Sequence, residues 1–475
     1  MRTLVTAARS QYDRSLTRAI FVVFFLACVG ALVSLVFADS FWAVSVFLAL
    51  ISFSVCGIAL LIIVWTGSNA MHVWIFTFAL AAIDLSLRSV GGNAPYLALK
   101  GLCYGLAVVA SMATLVRTPA LGGEGPVKVY LFYVLVAWLS IVYSFDKWTT
   151  AYTGFALMSL ALVGWSLSRL PIDRGIQIVG AIALVLGMGS LVSVALYVIS
   201  PTLVVSAETA GGGRIGGLFG SPNSLGAVTS IGILSALAAM YWERVRVPFA
   251  RAWAIYAVCV LSGGIALYLS GSRTSMLALV AAVLLVTAVV RPRLTALIAI
   301  FATTLAFIGF LADVTDQLLE LGVSSLSRTS HGADVRNLTG RLAIWEFAYQ
   351  SWLAKPWFGY GLGASRELIS HGWSNFWGGT TGSAHNALLE NLLNVGVVGT
   401  TVLLVCILWL VVRIVRGFRD RSDDALIVTS ICIGFLGFGV LQGVAEKSFG
   451  GTSSTATGAL VVALGLSRHL GVKRR

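Results

Sequence analysis

Long apolar runs dominate the chain, each about twenty residues long and separated by shorter polar segments. Because the bilayer core offers no water, a spanning backbone must satisfy its own hydrogen bonds, as an α-helix or a closed β-barrel does. Continuous runs of this length favour helices over the shorter strands of a barrel. They predict an all-α polytopic membrane protein with about fourteen spans, near residues 19–38, 41–65, 70–87, 96–116, 128–144, 149–167, 175–200, 224–242, 252–270, 274–290, 293–312, 386–412, 425–444 and 453–467.

Composition agrees with this pattern, since 58% of the 475 residues are hydrophobic and only 11% are charged. No block of soluble character stands apart, so we expect residues 1–475 to form a single transmembrane domain. The first run follows a basic tail, lacks a small-residue cleavage site before Asp39 and leads into another span. We therefore expect a retained anchor and not a cleaved signal peptide.

The basic residues set the expected orientation. About two thirds of the 32 Lys and Arg residues fall in alternate connecting segments, which the positive-inside rule places in the cytoplasm. Both termini are then cytoplasmic, and the predicted location is a bacterial inner membrane. The basic residues behind the net charge of +13 are expected to orient the chain and to contact anionic lipids. Nucleic acid is not expected as a partner.

A glycine-rich segment from Gly211 to Gly226 enters the eighth predicted span from the outer side and contains Arg214. Glycines allow close approach to a bulky ligand, and Ser221 or Asn223 can cap the next helix, whose N-terminus favours an anion. The alternative is a flexible linker with a Pro-Asn turn. Since no Lys-Ser or Lys-Thr follows, the segment is not a nucleotide-binding P-loop.

A second polar segment, Ser270-Gly-Ser-Arg273-Thr-Ser275, forms a short outer connection between two predicted spans. Such a tight turn places Arg273 at the membrane surface, where the phosphate of a lipid-linked substrate would lie. The arginine fork suits phosphate, and an outer arginine works against the insertion rule. The alternative is an arginine that reaches to lipid headgroups.

The longest outer connection covers residues 313–385, and its length indicates a functional role. After Gly340-Arg341, apolar residues recur at helical spacing until Pro356, which predicts an amphipathic helix on the outer face. A glycine-aromatic stretch containing Tyr360 follows. The aromatic side chains fit either an interface belt or a surface for stacking on sugars. The helical stripe consists of Leu342, Trp345, Tyr349, Trp352 and Leu353.

His385 is the strongest candidate for acid-base chemistry. It opens the helix after the long connection, where the positive helix end favours a neutral imidazole, as a general base requires. His331 and His371 are expected in loops, without a neighbour that would orient them. The alternative for His385 is a histidine that caps the helix or is merely exposed to solvent. No His, Cys or carboxylate cluster has metal-ligand spacing, so neither a metal nor another cofactor is expected.

The ordered set of motifs resembles the O-antigen ligase and Wzy-type polymerase superfamily over residues 205–410. The motifs are Arg214 with Gly-Leu-Phe-Gly-Ser-Pro-Asn223-Ser-Leu-Gly, Ser-Arg273-Thr-Ser, Gly-Arg341-Leu-x-x-Trp345, Pro356-x-x-Gly-x-Gly-x-Gly and His385-Asn386-x-x-Leu-x-x-x-Leu. The resemblance implies a fold like that of GT-C-type membrane glycosyltransferases. It also implies metal-independent, inverting transfer of a glycan from a polyprenyl diphosphate carrier to an acceptor hydroxyl on the periplasmic face.

By the same resemblance, His385 is the expected base, and Arg341 and Arg273 are expected to stabilise the departing diphosphate. Contacts to the diphosphate or the glycan are expected from Arg214, Asn223, Asn386, Trp345 and Tyr360. The expected partners are the polyprenyl diphosphate-linked oligosaccharide, a glycan or lipid-linked acceptor, membrane lipids and a chain-length regulator.

Three functions stay open at this point. A polymerase would extend an O-antigen or exopolysaccharide chain and is favoured because fourteen spans exceed the usual ligase layout. A ligase would move a finished glycan onto a lipid core or another acceptor. A secondary transporter or lipid flippase would require ionisable groups within the spans, for which Asp84 and Lys100 are the candidates, and no inverted repeat is visible.

Overall fold

The computed structural model describes residues 70–81, 94–118, 124–201, 204–205, 213–246, 252–291, 293, 341–377, 382–420, 422–449 and 454–470. The two predicted spans at 19–38 and 41–65, and nearly all of the one at 293–312, lie outside the described residues. The first part of the long connection, 313–340, and His331 also lie outside them.

Thirteen α-helices occupy the described part of the chain, which contains no β-strand beyond an isolated bridge between Val205 and Ile215. The helices are α1 (Ala70–Ala81), α2 (Ala94–Arg117), α3 (Gly125–Leu139), α4 (Lys147–Leu167), α5 (Ile172–Ile199), α6 (Pro222–Arg246), α7 (Ala252–Ser270), α8 (Arg273–Val290), α9 (Arg341–Ala354), α10 (Ser365–Trp377), α11 (Ala387–Gly417), α12 (Asp423–Gly443) and α13 (Thr455–Leu466).

Eight of these helices are long and apolar enough to cross a membrane: α3 to α8, α11 and α12. They coincide in order with the predicted runs, and α2 contains a further apolar segment, Cys103–Val116. The prediction of an all-α polytopic membrane protein is therefore confirmed.

Small residues bring the N-terminal ends of α6 and α8 together. Gly226 lies in the first turns of α6, and a Cβ added to it would be 2.6 Å from the Cβ of Ser272, directly before α8. Membrane helices depend on such close contacts because lipid offers no hydrophobic drive for helices to associate. The turn that carries Arg273 is consequently held against the start of α6.

Helix α9 forms where the sequence predicts it, but its buried face differs from the expected stripe. Ile344 and Ala348 are buried against α10 and α11, whereas Leu342, Tyr349 and Leu353 stay exposed. When two opposite faces of a helix both contain apolar residues, helical spacing alone does not show which face is buried. The stripe chosen from the sequence includes the face turned away from the protein.

Helix α11 is interrupted at Gly396, which has φ of 63° and ψ of −167°. The glycine-aromatic stretch fills this break with backbone hydrogen bonds. Tyr360 N donates to Leu393 O (2.7 Å) and Gly361 N to Asn394 O (2.9 Å), while Val397 N and Val398 N donate to carbonyls of residues 356 and 357. The loop thus provides hydrogen-bond partners for backbone groups on both sides of the break. Such groups are costly to leave unpaired in a membrane helix.

Replacing Gly396 with alanine should destabilise this joint. A Cβ there would lie 2.3 Å from the carbonyl carbon and oxygen of Trp357, and the backbone conformation, which is populated essentially by glycine alone, adds a cost of about 1–3 kcal/mol. We expect a thermal unfolding midpoint several degrees below that of the wild type in detergent. Gly264→Ala is the matched control, because a Cβ at this position in α7 meets nothing within 4 Å. Equal midpoints for the two variants would contradict the importance of the joint.

Candidate active site

Glu446 is the centre of a cluster of polar side chains at the C-terminal end of α12. It lies in the connection from α12 to α13 and is only 6% exposed. Its Oε1 accepts from Arg341 Nη2 (2.7 Å) and from Asn223 Nδ2 (2.7 Å). Its Oε2 lies 3.0 Å from His385 Nδ1. One buried carboxylate therefore joins three of the predicted site residues, which come from three separate parts of the chain.

Arg341 is the first residue of α9, and its side chain reaches across to the end of α12. Besides the ion pair with Glu446, its Nη1 donates to the backbone oxygen of Ala445. A cation in the first turn of a helix is disfavoured by the helix dipole. The contacts with residues 445 and 446 account for its place there.

Arg214 is connected to Glu446 through Asn223. Its Nη2 donates to Asn223 Oδ1 (3.1 Å), and its Nε donates to the backbone oxygen of Ser270 (2.8 Å). Of the two predicted capping residues, Ser221 is the one that caps α6, since its hydroxyl accepts from Ser224 N (3.1 Å). Asn223 instead faces the cluster. The described part of the glycine-rich segment, 213–226, therefore connects Arg214 to the carboxylate through Asn223.

Arg273 begins α8, directly after the two-residue turn from α7 that the sequence predicts. Its turn is tied to the cluster, because the Ser270 carbonyl accepts from Arg214. Two residues on, Ser275 Oγ accepts from Gln442 Nε2 of α12 (3.2 Å). Arg273 is partly buried and lies on an element joined to both Arg214 and α12.

His385 occupies an unusual backbone position. Its φ of 48° is the one positive value among the described residues other than glycine. It lies one residue before the N-cap of α11, where Asn386 Oδ1 accepts from the amides of Leu388 and Leu389. Asn386 Nδ2 also donates to Val444 O (3.1 Å), two residues before Glu446. Two neighbouring residues of the predicted motif are thus attached to the same segment.

Trp345 and Tyr360 take different places. Trp345, one turn into α9, donates through Nε1 to the backbone oxygen of Ala384 (2.9 Å), next to His385. Tyr360 lies in the loop that fills the α11 break and donates through its hydroxyl to Ser351 O (2.9 Å). The Lys355 ammonium lies 4.7 Å from the Tyr360 ring centroid. The structure therefore brings Trp345 beside the cluster and places Tyr360 in the loop joint.

The prediction for His371 is wrong. This residue lies in α10, not in loop, and its imidazole pairs with Glu367 one turn earlier. The imidazole is 70% exposed, in contrast to the 28% exposure of the His385 side chain. His371 and Glu367 thus form a surface pair of the same residue types as the pair of His385 and Glu446.

Glu446 was not identified from the sequence. The available signal is an acidic residue directly after a predicted span, in a chain with only 19 Asp and Glu residues. Burial raises the pKa of the Glu446 carboxyl, but the hydrogen bond from His385 together with the charge and the hydrogen bond of Arg341 outweigh burial and hold that pKa below its ordinary value. The carboxyl is accordingly a stable anion near neutral pH.

Residues 257–404 match a family model described as O-Antigen ligase, whereas no curated protein matches the chain. The matched segment runs from α7 into α11 and includes Arg273, Arg341 and His385. It indicates a role in polysaccharide biosynthesis as a glycosyl-transfer enzyme. This match supports the resemblance of the chain's motifs to the O-antigen ligase and Wzy-type polymerase superfamily.

Proposed function

We propose that this protein is a metal-independent, inverting glycan polymerase of the bacterial inner membrane that acts on the periplasmic face. It transfers glycan repeats from a polyprenyl diphosphate carrier to the sugar hydroxyl of an acceptor, for O-antigen or exopolysaccharide. The observation that carries the proposal is the shared carboxylate of Glu446, which holds an imidazole and a guanidinium side by side.

His385 is the general base in this proposal. A carboxylate only accepts hydrogen bonds, so its contact with Glu446 places the imidazole proton on Nδ1. Nε2 then carries the lone pair that takes the proton of the acceptor hydroxyl. The neighbouring anion also stabilises the imidazolium that forms. This arrangement gives Glu446 the role of a positioning residue.

The arginines supply the charge that the leaving group needs. Bond cleavage leaves negative charge on a polyprenyl diphosphate, and guanidinium forks bind phosphate oxygens in pairs. Arg341 and Arg273 are proposed to stabilise this charge, and Arg214 with Asn223 to bind the diphosphate. Glu446 balances only part of their charge, so the cluster favours an incoming anion.

The reaction is a single displacement at the anomeric carbon. The acceptor oxygen forms a bond to that carbon while the bond to the diphosphate oxygen breaks, and the acceptor proton moves to His385 Nε2. The bonding electrons leave with the diphosphate. One displacement inverts the anomeric configuration, and the diphosphate donor carries its own activation, so no nucleotide enters this step. Asn386, Trp345 and Tyr360 are proposed to contact the sugars.

Ligation of a finished glycan is the second candidate, and the description of the matched family as an O-antigen ligase favours it. Both functions use the same bond changes and differ in the acceptor. A polymerase would return a lengthening chain to the carrier and work with a chain-length regulator. A ligase would transfer one glycan to a lipid core.

Purified protein in lipid nanodiscs should elongate a polyprenyl diphosphate oligosaccharide in the presence of chelator and without nucleotide. A ladder of products supports polymerisation, whereas a single product formed only with lipid core supports ligation. Nuclear magnetic resonance of the new linkage should show inversion. Loss of turnover in chelator, or retention of configuration, would contradict the proposed chemistry.

Arg341→Lys should lower kcat/KM by about 10-fold to 100-fold, because lysine keeps the charge but loses the paired donors. Steady-state transfer rates at several donor concentrations measure the effect. Arg366→Ala is the matched control, since Arg366 is an exposed arginine of α10 in the same outer region. If Arg341→Lys behaved like this control, the fork would have no part in the reaction.

A further inference from the structure

A second buried carboxylate, Glu390, lies one turn into α11 and is only 1% exposed. Its Oε1 accepts from the backbone amide of Ala384 (2.8 Å) and from the hydroxyl of Ser383. Its Oε2 accepts from the hydroxyl of Ser365 at the start of α10 (2.6 Å). These donors are all uncharged, so Glu390 holds backbone and hydroxyl groups, in contrast to the ion pairs of Glu446.

The serine on the Oε1 side connects Glu390 to His385. The Ser383 hydroxyl donates to Glu390 and accepts from the backbone amide of His385 (3.0 Å). A hydrogen-bonded path therefore runs from the carboxylate through one hydroxyl to the backbone of the proposed base.

The backbone of His385 needs this support. A left-handed conformation costs a residue with a side chain about 1–2 kcal/mol, and it persists only where the surroundings impose it. Glu390 holds residues 383 and 384 from one side, and Trp345 Nε1 holds the Ala384 carbonyl from the other. Both contacts act on the two residues before His385.

We infer that Glu390 is a positioning residue for the transfer reaction, which acts through Ser383 to fix the left-handed turn that directs the His385 imidazole to Glu446. This inference rests on the proposed function, because it takes His385 as the base. Without the turn, His385 would relax towards ordinary backbone angles, and its ring would leave the line between Glu446 and the acceptor. A misplacement of this kind affects the chemical step more than the binding of substrate.

The two serines on Glu390 offer a matched test. Ser383→Ala removes the hydroxyl on the His385 side, and Ser365→Ala removes the hydroxyl on the other oxygen of the same carboxylate. We expect Ser383→Ala to lower kcat by about 10-fold or more with KM within about threefold, and Ser365→Ala to lower kcat by less than about threefold. In a His385→Ala background, Ser383→Ala should cause no further loss, since it acts only through His385.

The role of Glu390 itself can be tested with one substitution that keeps the shape of its side chain and one that removes it. Glutamine keeps an oxygen for Ser383 and Ala384, and its amide can donate to a rotated Ser365 hydroxyl, so Glu390→Gln should stay within about threefold of wild-type kcat. Glu390→Ala removes all three contacts and should lower kcat at least as much as Ser383→Ala. Size-exclusion profiles and thermal midpoints in detergent show which variants fold. Should Ser383→Ala not fold, Ser383→Cys keeps the volume, weakens both hydrogen bonds and takes its place.

Equal losses from the two serine variants would overturn the inference, as would a Ser383→Ala loss that persists in the His385→Ala background. Failure of the proposed function would give a different experimental result. Full turnover by His385→Ala alone would remove the base assignment, whatever the serine variants do. Loss of turnover by His385→Ala together with indistinguishable serine variants would overturn only the role of Glu390.

Discussion

Replacing His385 with alanine should reduce kcat for glycan transfer by about 10³-fold, within the range that general bases contribute. The loss should fall on the chemical step, because alanine cannot accept the proton of the attacking hydroxyl. Donor KM should change little, since the diphosphate is proposed to bind to the arginines. Single-turnover measurements with purified protein and a labelled polyprenyl diphosphate oligosaccharide would separate the two quantities.

The chain supplies its own control for this change in His371. This residue is also a histidine paired with a glutamate, but its side chain is largely exposed and belongs to α10. His371→Ala should therefore transfer glycan at the wild-type rate. If both alanine variants kept full activity, the base would have to be another group, and the proposed mechanism would fail.

Exchanging Glu446 for glutamine should reduce kcat by about 10²-fold to 10³-fold while preserving the volume of the side chain. With the amide oxygen accepting from Arg341 and Asn223, the amide nitrogen faces His385 Nδ1 and donates to it. The imidazole proton then resides on Nε2, which can no longer accept a proton. Glu367→Gln is the matched control, because it alters the exposed Glu-His pair of α10 in the same way.

The same exchange should change how stability depends on pH. The folded-state pKa of Glu446 lies below its ordinary value of 4.5, so its stabilising contribution is complete above that value and is lost as pH falls through the lowered pKa. The wild-type thermal midpoint should therefore fall on acidification below pH 4.5 by more than that of Glu446→Gln. Parallel curves for the two proteins would show that the carboxylate contributes nothing through these pairs.

The spans were predictable because hydrocarbon thickness forces a length and an apolar composition on each helix, whatever surrounds it. The arginines and His385 could be proposed as site residues because each stands in a short local pattern of glycine, serine or asparagine. The local pattern also gave the turn before Arg273 and the helix after Arg341. These features depend on neighbours in the sequence.

The contacts that assemble the site depend on distant residues instead. Glu446 meets His385, Arg341 and Asn223 across 61, 105 and 223 residues, and no local pattern marks a carboxylate as their shared partner. Glu390 was not identified for a related reason. The hydrogen-bond donors of an acidic residue within an apolar run become apparent only when the fold brings them together. His371 was misplaced because Gly372, Ser374 and Asn375 have low helix propensity and favour a loop at this point of the chain.

The break in α11 limits how the loop after α9 can be exchanged between relatives. Amides of the loop after α9 bond to carbonyls of α11, and amides of α11 bond to carbonyls of that loop, so each segment is incomplete without the other. A chimera that takes the loop from one protein and the helix from another would keep both sequences but lose their shared hydrogen bonds. Residues 356–363 and 387–398 therefore form one unit of recombination, and attempts to transplant acceptor specificity should move them together.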